Sequence, residues 1–168
     1  MKKIFALLLG VAAFMGVASA QNYMVVDSEK IFKSIKEYNN ALVQLDNLAQ
    51  SYQQQVDAKY QQIEALYNSY QQQKANLSAA PRAMRENEIL EKESETVKFQ
   101  ESIFGNEGTM MKKRIELIQP IQERVFKAIE SYAKENGFDL VLDIASNATM
   151  LYYSERADHT DEIIAILK

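Results

Sequence analysis

The chain of 168 residues lacks cysteine and tryptophan, and it has only two prolines, five glycines and a single histidine, His159. Without cysteine, no disulfide can form and no thiol is available for catalysis or for lipid attachment. The few glycines form no phosphate-binding loop, which excludes the common nucleotide-hydrolysing motifs. No second ligand motif accompanies His159, so we expect it to be a surface residue in a helix cap rather than a metal ligand or a catalytic residue. The sequence therefore predicts a protein that is not an enzyme and needs no cofactor.

The first twenty residues have the pattern of a secretory signal peptide. Lys2 and Lys3 form a basic start, residues 4–17 are apolar, and Ala18-Ser19-Ala20 supplies small residues for cleavage. The apolar run is shorter than the ~20 residues that span a bilayer, which disfavours a transmembrane helix. We therefore expect cleavage after Ala20 and an exported chain that begins at Gln21.

Acidic side chains outnumber basic ones, 23 to 19, and removal of Lys2 and Lys3 leaves 17 basic residues and a net charge near −6. This balance argues against nucleic acid as a partner and against strong affinity for anionic lipid. Five closely spaced glutamates could suggest a cation site, but we expect a solvated helix face. They are Glu86, Glu88, Glu91, Glu93 and Glu95.

Two series of mostly apolar residues recur at seven-residue intervals, the spacing of helices that wind around a partner. The first series is Leu42, Ala49, Val56, Ile63, Tyr70 and Leu77, and the second is Leu90, Val97, Phe104, Met111, Ile118, Val125 and Tyr132. Between them, Ala79-Ala80-Pro81 marks a reversal, with Pro81 suited to the first position of the returning helix. We therefore expect a long antiparallel helical hairpin in which the two series face each other.

The strand-like segments lie at the two ends of the chain. Residues 23–27 are β-prone and precede a helix capped by Ser28, while Asn136-Gly137 ends the hairpin. Residues 138–144 alternate as a half-buried strand, and we expect a turn at Ser146-Asn147 and a second strand over 149–153. Residues 158–162 cap a last helix whose apolar stripe is Ile163, Ile164, Ile166 and Leu167.

The predicted class is therefore α+β, with a helical limb (residues 40–111, turn near 78–81) inserted into a β-containing head (residues 21–39 and 112–168). Two or three short strands are unstable alone, so we expect the head to self-associate. Its predicted oligomerisation residues are Tyr23, Val25, Phe138, Leu140, Leu142, Ile144, Leu151 and Tyr153.

Aromatic residues and methionines are frequent along the limb and make a candidate binding surface. They are Tyr52, Tyr60, Tyr67, Tyr70, Phe99, Phe104, Met110 and Met111. Such side chains adapt to a client without fixed shape, or alternatively they only thicken the interface between the helices. Gly105 and Gly108 lie inside the predicted returning helix, where each costs about 1 kcal/mol relative to alanine. We interpret them as a hinge or as a point of close backbone packing against Tyr52.

Several end segments occur in an order that resembles the Skp/OmpH family of periplasmic chaperones, over the whole exported chain. They are residues 23–27 with Ile31-Phe32, Pro120-Ile121, residues 137–143, residues 150–153 and residues 158–164. The resemblance implies a periplasmic trimer whose hairpins enclose a cavity. It also implies an ATP-independent holdase for unfolded outer-membrane β-barrel proteins.

One feature departs from the family. The best-known members are strongly basic, and their limbs are thought to attract lipopolysaccharide. Here residues 40–110 carry six basic and ten acidic side chains, which puts a lipopolysaccharide site in doubt. The alternative function is a structural coiled coil or an adaptor of the cell envelope that binds one folded partner. A hydrolase using His159 is a third reading, and we expect no such activity.

Overall fold

A computed structural model describes residues 22–145 and 150–168 of the chain. The predicted signal peptide, the turn at Ser146-Asn147 and the start of the second strand at Thr149 lie outside these residues. In chain order the elements are β1 (Tyr23–Val26), α1 (Ser28–Ser34), α2 (Lys36–Gln73), α3 (Ala79–Phe104), α4 (Thr109–Glu135), β2 (Leu140–Asp143) and α5 (Thr160–Leu167). Long helices with a small two-stranded sheet agree with the expected α+β class.

The chain divides into two compact units, each with its own buried residues. The hairpin unit is Phe32–Phe126, and the terminal unit combines the described residues 22–31 with residues 127–145 and 150–168. Val56, Ile63 and Ile89 are buried in the hairpin unit, whereas Met24 and Ile163 are buried in the terminal unit.

In the hairpin unit, α2 and α3 run antiparallel and are joined by a tight reversal. A short 3₁₀ turn, Lys74–Asn76, follows α2. Arg82 then donates hydrogen bonds to the carbonyl oxygens of Lys74 at 3.1 Å and Leu77 at 3.4 Å. These carbonyls lie where a helix end leaves acceptors without partners, so Arg82 stabilises the reversal. Pro81 is the third residue of α3, not the first as we expected.

The first heptad series faces α3 through its central members. Val56, Ile63 and Tyr70 are buried, and Tyr70 packs with Ile63 and Ile89. Leu42, at the start of the series, is exposed.

Our prediction of the second series is wrong by one residue along α3. The residues that α3 buries are Ile89, Thr96 and Ile103, which are 8%, 2% and 6% exposed. The predicted residues, each one position later, are Leu90, Val97 and Phe104, which are 61%, 54% and 39% exposed. Met111 is exposed as well, and the predicted series becomes buried only at Ile118 and Val125.

A break between α3 and α4 at residues 105–108 accounts for the shift. From Ile103 to Ile118 the chain advances 15 residues, one more than two heptads, and the break takes up the extra residue. A Cβ on Gly105 would lie 2.5 Å from the carbonyl oxygen of Glu101. A Cβ on Gly108 would lie 2.5 Å from the carbonyl oxygen of Ile103. A larger residue at either position would therefore require the backbone to shift.

Thr96 is polar, so the residues that α3 buries do not form a continuous apolar repeat in the sequence. Its hydroxyl donates to the backbone carbonyl of Lys92 at 2.8 Å, and this bond allows the side chain to be buried.

In the terminal unit, β1 and β2 form a parallel pair, with Tyr23 opposite Leu140 and Val26 opposite Asp143. We expected residues 138–144 to pair with residues 149–153 in a hairpin. Of that second segment the structure describes Met150–Tyr153, and these residues are not in a strand. Instead, β1 also forms a parallel bridge from Val25 to Asp158, so it lies between β2 and the start of α5. Met24, Val25 and Val26 are all buried, as is typical of a strand covered on both faces.

Hydrogen bonds that Asp27 accepts and that Ser28 donates fix the start of α1. Asp27, rather than the predicted Ser28, caps the helix, because its Oδ1 accepts the backbone N–H of Lys30 at 2.9 Å. Ser28 donates to Asp143 from its backbone N–H at 3.1 Å and from its hydroxyl at 2.6 Å. Burial by itself would raise the pKa of the Asp143 carboxyl, but hydrogen bonds from Ser28 and Ala145 bring that pKa below its ordinary value.

The predicted last helix is present as α5. Ile163 and Ile164 are buried, but Ile166 is exposed. Asp158 accepts the backbone N–H of Thr160 at 3.0 Å, and the Thr160 hydroxyl oxygen accepts the N–H of Asp27 at 2.8 Å. The start of α5 is therefore joined to the end of β1.

The register of α3 predicts different costs for neighbouring substitutions. Ile89→Ala should lower the free energy of unfolding by about 2 kcal/mol, since it removes a buried side chain from the α2–α3 interface. Leu90→Ala should change it by less than about 0.5 kcal/mol, because Leu90 is exposed. Urea unfolding followed by circular dichroism, at one protein concentration, measures both values. An equal cost, or a larger one for Leu90→Ala, would contradict this register.

The Ser28–Asp143 contact predicts a pH-dependent loss of stability in Ser28→Ala. At neutral pH the loss should be about 1 kcal/mol, the usual effect of one hydrogen bond. The pKa of Asp143 is lower in the folded than in the unfolded chain, so its contribution is complete above the unfolded pKa and disappears as the pH falls through the folded pKa. The difference between Ser28→Ala and the parent should therefore shrink below about pH 4. The exposed Ser131→Ala is the control, and a pH-independent difference would contradict the assignment.

Candidate functional site

The described part of the chain shows neither a metal-binding cluster nor a helix that could span a membrane. Within residues 22–145 and 150–168, no group of three or more His, Cys, Asp or Glu is arranged to hold a metal ion. In the same residues, no helix is both long and apolar enough to cross a bilayer. The candidate site lies on the surface of the hairpin unit.

His159 is a packing residue of the terminal unit. It precedes α5, as expected, but its side chain is only 17% exposed and does not lie on the surface as we predicted. Its Nδ1 is 3.0 Å from the Tyr132 hydroxyl, and its ring centroid is 4.8 Å from that of Phe138. These contacts give His159 a structural role between two aromatic rings.

The structure separates the eight predicted client-binding residues by exposure. Tyr60, Tyr67, Phe104 and Met111 are exposed, Tyr52, Phe99 and Met110 are half-buried, and Tyr70 is buried. Tyr70 belongs to the helix interface, where its hydroxyl donates to the carboxylate of Glu86.

One side of the hairpin carries an exposed apolar surface. The Tyr60 hydroxyl donates to Gln100 at 3.3 Å, and the Tyr70 hydroxyl contacts Glu86, so Gln100 and Glu86 mark this side of α3. Residues four apart on a helix lie on the same face, which places Leu90 and Phe104 beside them. We define the apolar face as the exposed residues Tyr60, Tyr67, Leu90, Val97 and Phe104.

The opposite side of the hairpin carries paired charges. Lys59 Nζ lies 5.0 Å from the ring centroid of Phe99. Lys92 pairs with Glu95 at 2.7 Å, and Arg85 pairs with Glu88 at 2.8 Å. Phe99 is four residues after Glu95, so Lys59 lies on the same side as these pairs. The hydrogen bond from Lys92 lowers the pKa of the Glu95 carboxyl below its ordinary value. We define these six residues as the charged face.

Sequence reasoning missed Leu90 and Val97 as surface residues, because their seven-residue spacing assigned them to the interface. The signal that could have found them was the glycine pair at 105 and 108, which permits a change of register between α3 and α4.

A cleft of about 480 Å³ lies beside the break in the hairpin unit. Its lining is largely apolar, with Asp46 and Arg114 among the polar residues. The apolar side chains include Leu42, Leu45, Phe104, Met110, Met111 and Ile118. The predicted interface residues Leu42 and Met111 therefore line a cleft where the helical register changes.

The predicted oligomerisation residues are spread over surface and interior of the terminal unit. Val25 is buried, whereas Tyr23, Leu140 and Leu151 are exposed, and the others are half-buried: Phe138, Leu142, Ile144 and Tyr153. Tyr23 and Leu140 are register partners and so project from the same face of the sheet.

Comparison with known proteins identifies the family. The family described as Outer membrane protein (OmpH-like) matches residues 22–167. The chain belongs to this family. A protein of Aquifex aeolicus (strain VF5), described as uncharacterized, is 27% identical over 164 residues, which cover 98% of this chain and 94% of that protein. The chaperone protein Skp of Yersinia enterocolitica is 25% identical over 161 residues, which cover 95% and 93% of the two chains. The resemblance drawn from the end segments is thus confirmed.

Replacing both glycines of the break should change the helix content and the stability of this OmpH-like chain. In Gly105→Ala/Gly108→Ala, the new methyl groups would meet backbone carbonyls, while alanine favours helix by about 1 kcal/mol per position. The helical signal should therefore rise, and the free energy of unfolding should fall by about 1–2 kcal/mol as the register is disturbed. Circular dichroism and urea unfolding measure both quantities. Glu107→Ala, in the same break, is the control, and no change in either quantity would contradict this role of the glycines.

Proposed function

We propose that this OmpH-like chain is an ATP-independent periplasmic holdase that keeps unfolded outer-membrane β-barrel proteins soluble. The observation that carries the proposal is the apolar face of the hairpin unit. Five large apolar or aromatic side chains remain exposed there, at intervals set by the heptad repeat. An extended exposed apolar surface on a soluble protein usually marks an interaction site.

The chemistry of the apolar face suits a client without fixed structure. Leu90, Val97 and Phe104 offer apolar contacts that do not depend on hydrogen-bond geometry. Tyr60 and Tyr67 contact both apolar groups and peptide groups, because each ring ends in a hydroxyl. Many weak contacts of this kind hold an aggregation-prone chain and still allow its release.

The holdase is proposed to act as an oligomer, in the trimeric form that the family resemblance implies. The exposed Tyr23, Leu140 and Leu151 of the terminal unit support self-association, since apolar side chains of a small unit gain stability when a second copy covers them. In the proposed assembly the hairpins surround a cavity lined by their apolar faces. The export pattern of the first twenty residues supports a periplasmic location.

The cleft beside the break favours the alternative function, an envelope adaptor with one folded partner. A preformed concave surface of about 480 Å³ can hold a fixed side chain or helix end of such a partner. Binding of that kind depends on one or two residues, whereas holdase binding is distributed.

The proposal predicts stoichiometric suppression of aggregation. A urea-unfolded outer-membrane barrel protein, diluted into buffer with the purified chain, should scatter little light and should elute with one client per oligomer. Tyr60→Ala alone should change the protective ratio by less than about threefold, because the contacts are distributed. Tyr60→Ser/Leu90→Ser/Val97→Ser should raise the required ratio by about tenfold or more.

The matched control is Gln62→Ser/Glu91→Ser/Lys98→Ser, which changes three exposed residues of the same helices outside the apolar face. The control should protect as well as the parent. Unchanged scattering at several-fold excess of a well-folded oligomer would contradict the holdase. A sharp loss from one cleft substitution, such as Met111→Ser, would instead favour the adaptor.

A further inference from the structure

The charges around the apolar face restrict the clients that it can hold. We propose that this face selects unfolded segments in which basic side chains alternate with apolar ones. The inference rests on the proposed holdase function and adds the charge class of the client. Its basis is a border of carboxylates that have no cationic partner.

Carboxylates lie beside the apolar residues on both helices. On α2, Asp57 and Glu64 are three residues before and four residues after Tyr60. On α3, Glu93 and Glu101 are four residues before and after Val97. Helix residues at these separations are neighbours, with Cβ atoms about 5–6 Å apart. All four carboxylates are exposed, so they can reach a bound chain.

Cations of the hairpin unit do not neutralise this border. In the described part of the chain, Glu64, Glu93 and Glu101 take part in no ion pair. Asp57 accepts a hydrogen bond from the neutral side chain of Gln53 at 2.8 Å. Glu86, on the same side, accepts one from the Tyr70 hydroxyl. Neutral donors orient these carboxylates but leave their negative charge in place.

Residues 40–110 contain six basic side chains, and most of them are held away from the border. Arg82 binds carbonyl oxygens at the reversal. Lys98 lies three residues before Glu101 but forms no ion pair with it. Arg85 and Lys92 are paired with glutamates on the charged face, and Lys59 lies against the ring of Phe99 on that face. Lys74 is on the apolar side but at the reversal, with its Nζ 5.5 Å from the Tyr70 ring centroid. The two sides of the hairpin therefore differ in charge as well as in polarity, and the apolar side is negative along most of its length.

The spacing of these groups matches an extended polypeptide. One heptad of helix rises about 10.5 Å. An extended chain covers that distance in about three residues. A client segment with an apolar and a basic side chain within each three or four residues can therefore contact both an apolar residue and a carboxylate in every heptad. Acidic segments with the same apolar residues would be repelled.

Salt dependence follows from the exposure of the carboxylates. Asp57 and Glu64 are one heptad apart, about 10.5 Å along α2, which is close to the Debye length of about 10 Å at 0.1 M salt and much shorter than that of about 30 Å at 0.01 M. The fields of these carboxylates therefore add at low ionic strength and are screened at high ionic strength. The apolar contacts do not weaken in the same way.

Three permanently unfolded peptides test the inference. They share their apolar residues and carry Lys, Glu or Ser at the intervening positions. Fluorescence anisotropy with the full oligomer should show about tenfold tighter binding of the Lys peptide than of the Glu peptide at 20 mM salt, and a ratio of about twofold or less at 500 mM. Equal affinities at low salt would overturn the inference.

Matched variants separate a local effect from one of net charge. Glu64→Gln/Glu93→Gln/Glu101→Gln should remove most of the preference and leave binding of the Ser peptide unchanged. Glu88→Gln/Glu91→Gln/Glu95→Gln makes the same change in charge away from the apolar face and should retain the preference. Equal loss in the two variants would overturn the inference, because net charge alone would then explain it.

The same titrations distinguish this inference from the proposed function. Binding of the Ser peptide and suppressed client aggregation, without a preference for Lys over Glu, would overturn the charge selection alone. Failure of every peptide to bind, together with unsuppressed aggregation, would overturn the holdase and the charge selection together. Circular dichroism and gel filtration establish that each variant retains the parent's fold and oligomeric state.

Discussion

The structure of the hairpin unit depends on which residues of α3 pack against α2. Ile89, Thr96 and Ile103 occupy that interface, and the interface in turn determines where every other α3 side chain points. Consecutive helix residues are rotated by about 100°, so a shift of one position would bury Leu90 and Val97 and expose the present interface. The proposed binding surface and the stability of the hairpin are thus set by the same register. The break at residues 105–108 allows α3 to keep this register while α4 buries Ile118 and Val125 in another.

With this register, the two sides of the hairpin expose different kinds of side chain. On the charged face, ion pairs and the contact of Lys59 with Phe99 provide solubility and modest stability. On the other side, the large side chains of the apolar face and the carboxylates beside it remain exposed, and these side chains contribute little to folding. A protein that keeps such a surface exposed gives up burial that would have stabilised it. In the proposed oligomer, the apolar face would line a cavity, which would shield it from contact with other oligomers in solution.

Sequence patterns predicted the helices well, because heptad spacing and cap residues are local. The buried central members of the α2 series, the stop at Gly137 and the last helix all follow from such signals. The register of α3 could not be predicted in this way. Thr96 is polar and is buried only because Lys92 supplies an acceptor, and the break adds a residue that a continuous heptad count cannot include. The parallel partner of β1 and the aromatic contacts of His159 are long-range, so local patterns did not find them.

Site-specific photo-cross-linking to an unfolded outer-membrane barrel protein tests the central claim most directly. A photoreactive amino acid would be placed at Leu90 or Val97 on the apolar face, and at Lys92 or Phe99 on the charged face. The account predicts cross-links to the client from positions 90 and 97 at a yield several times that from positions 92 and 99. Equal yields from all four positions, or higher yields from the charged face, would contradict it.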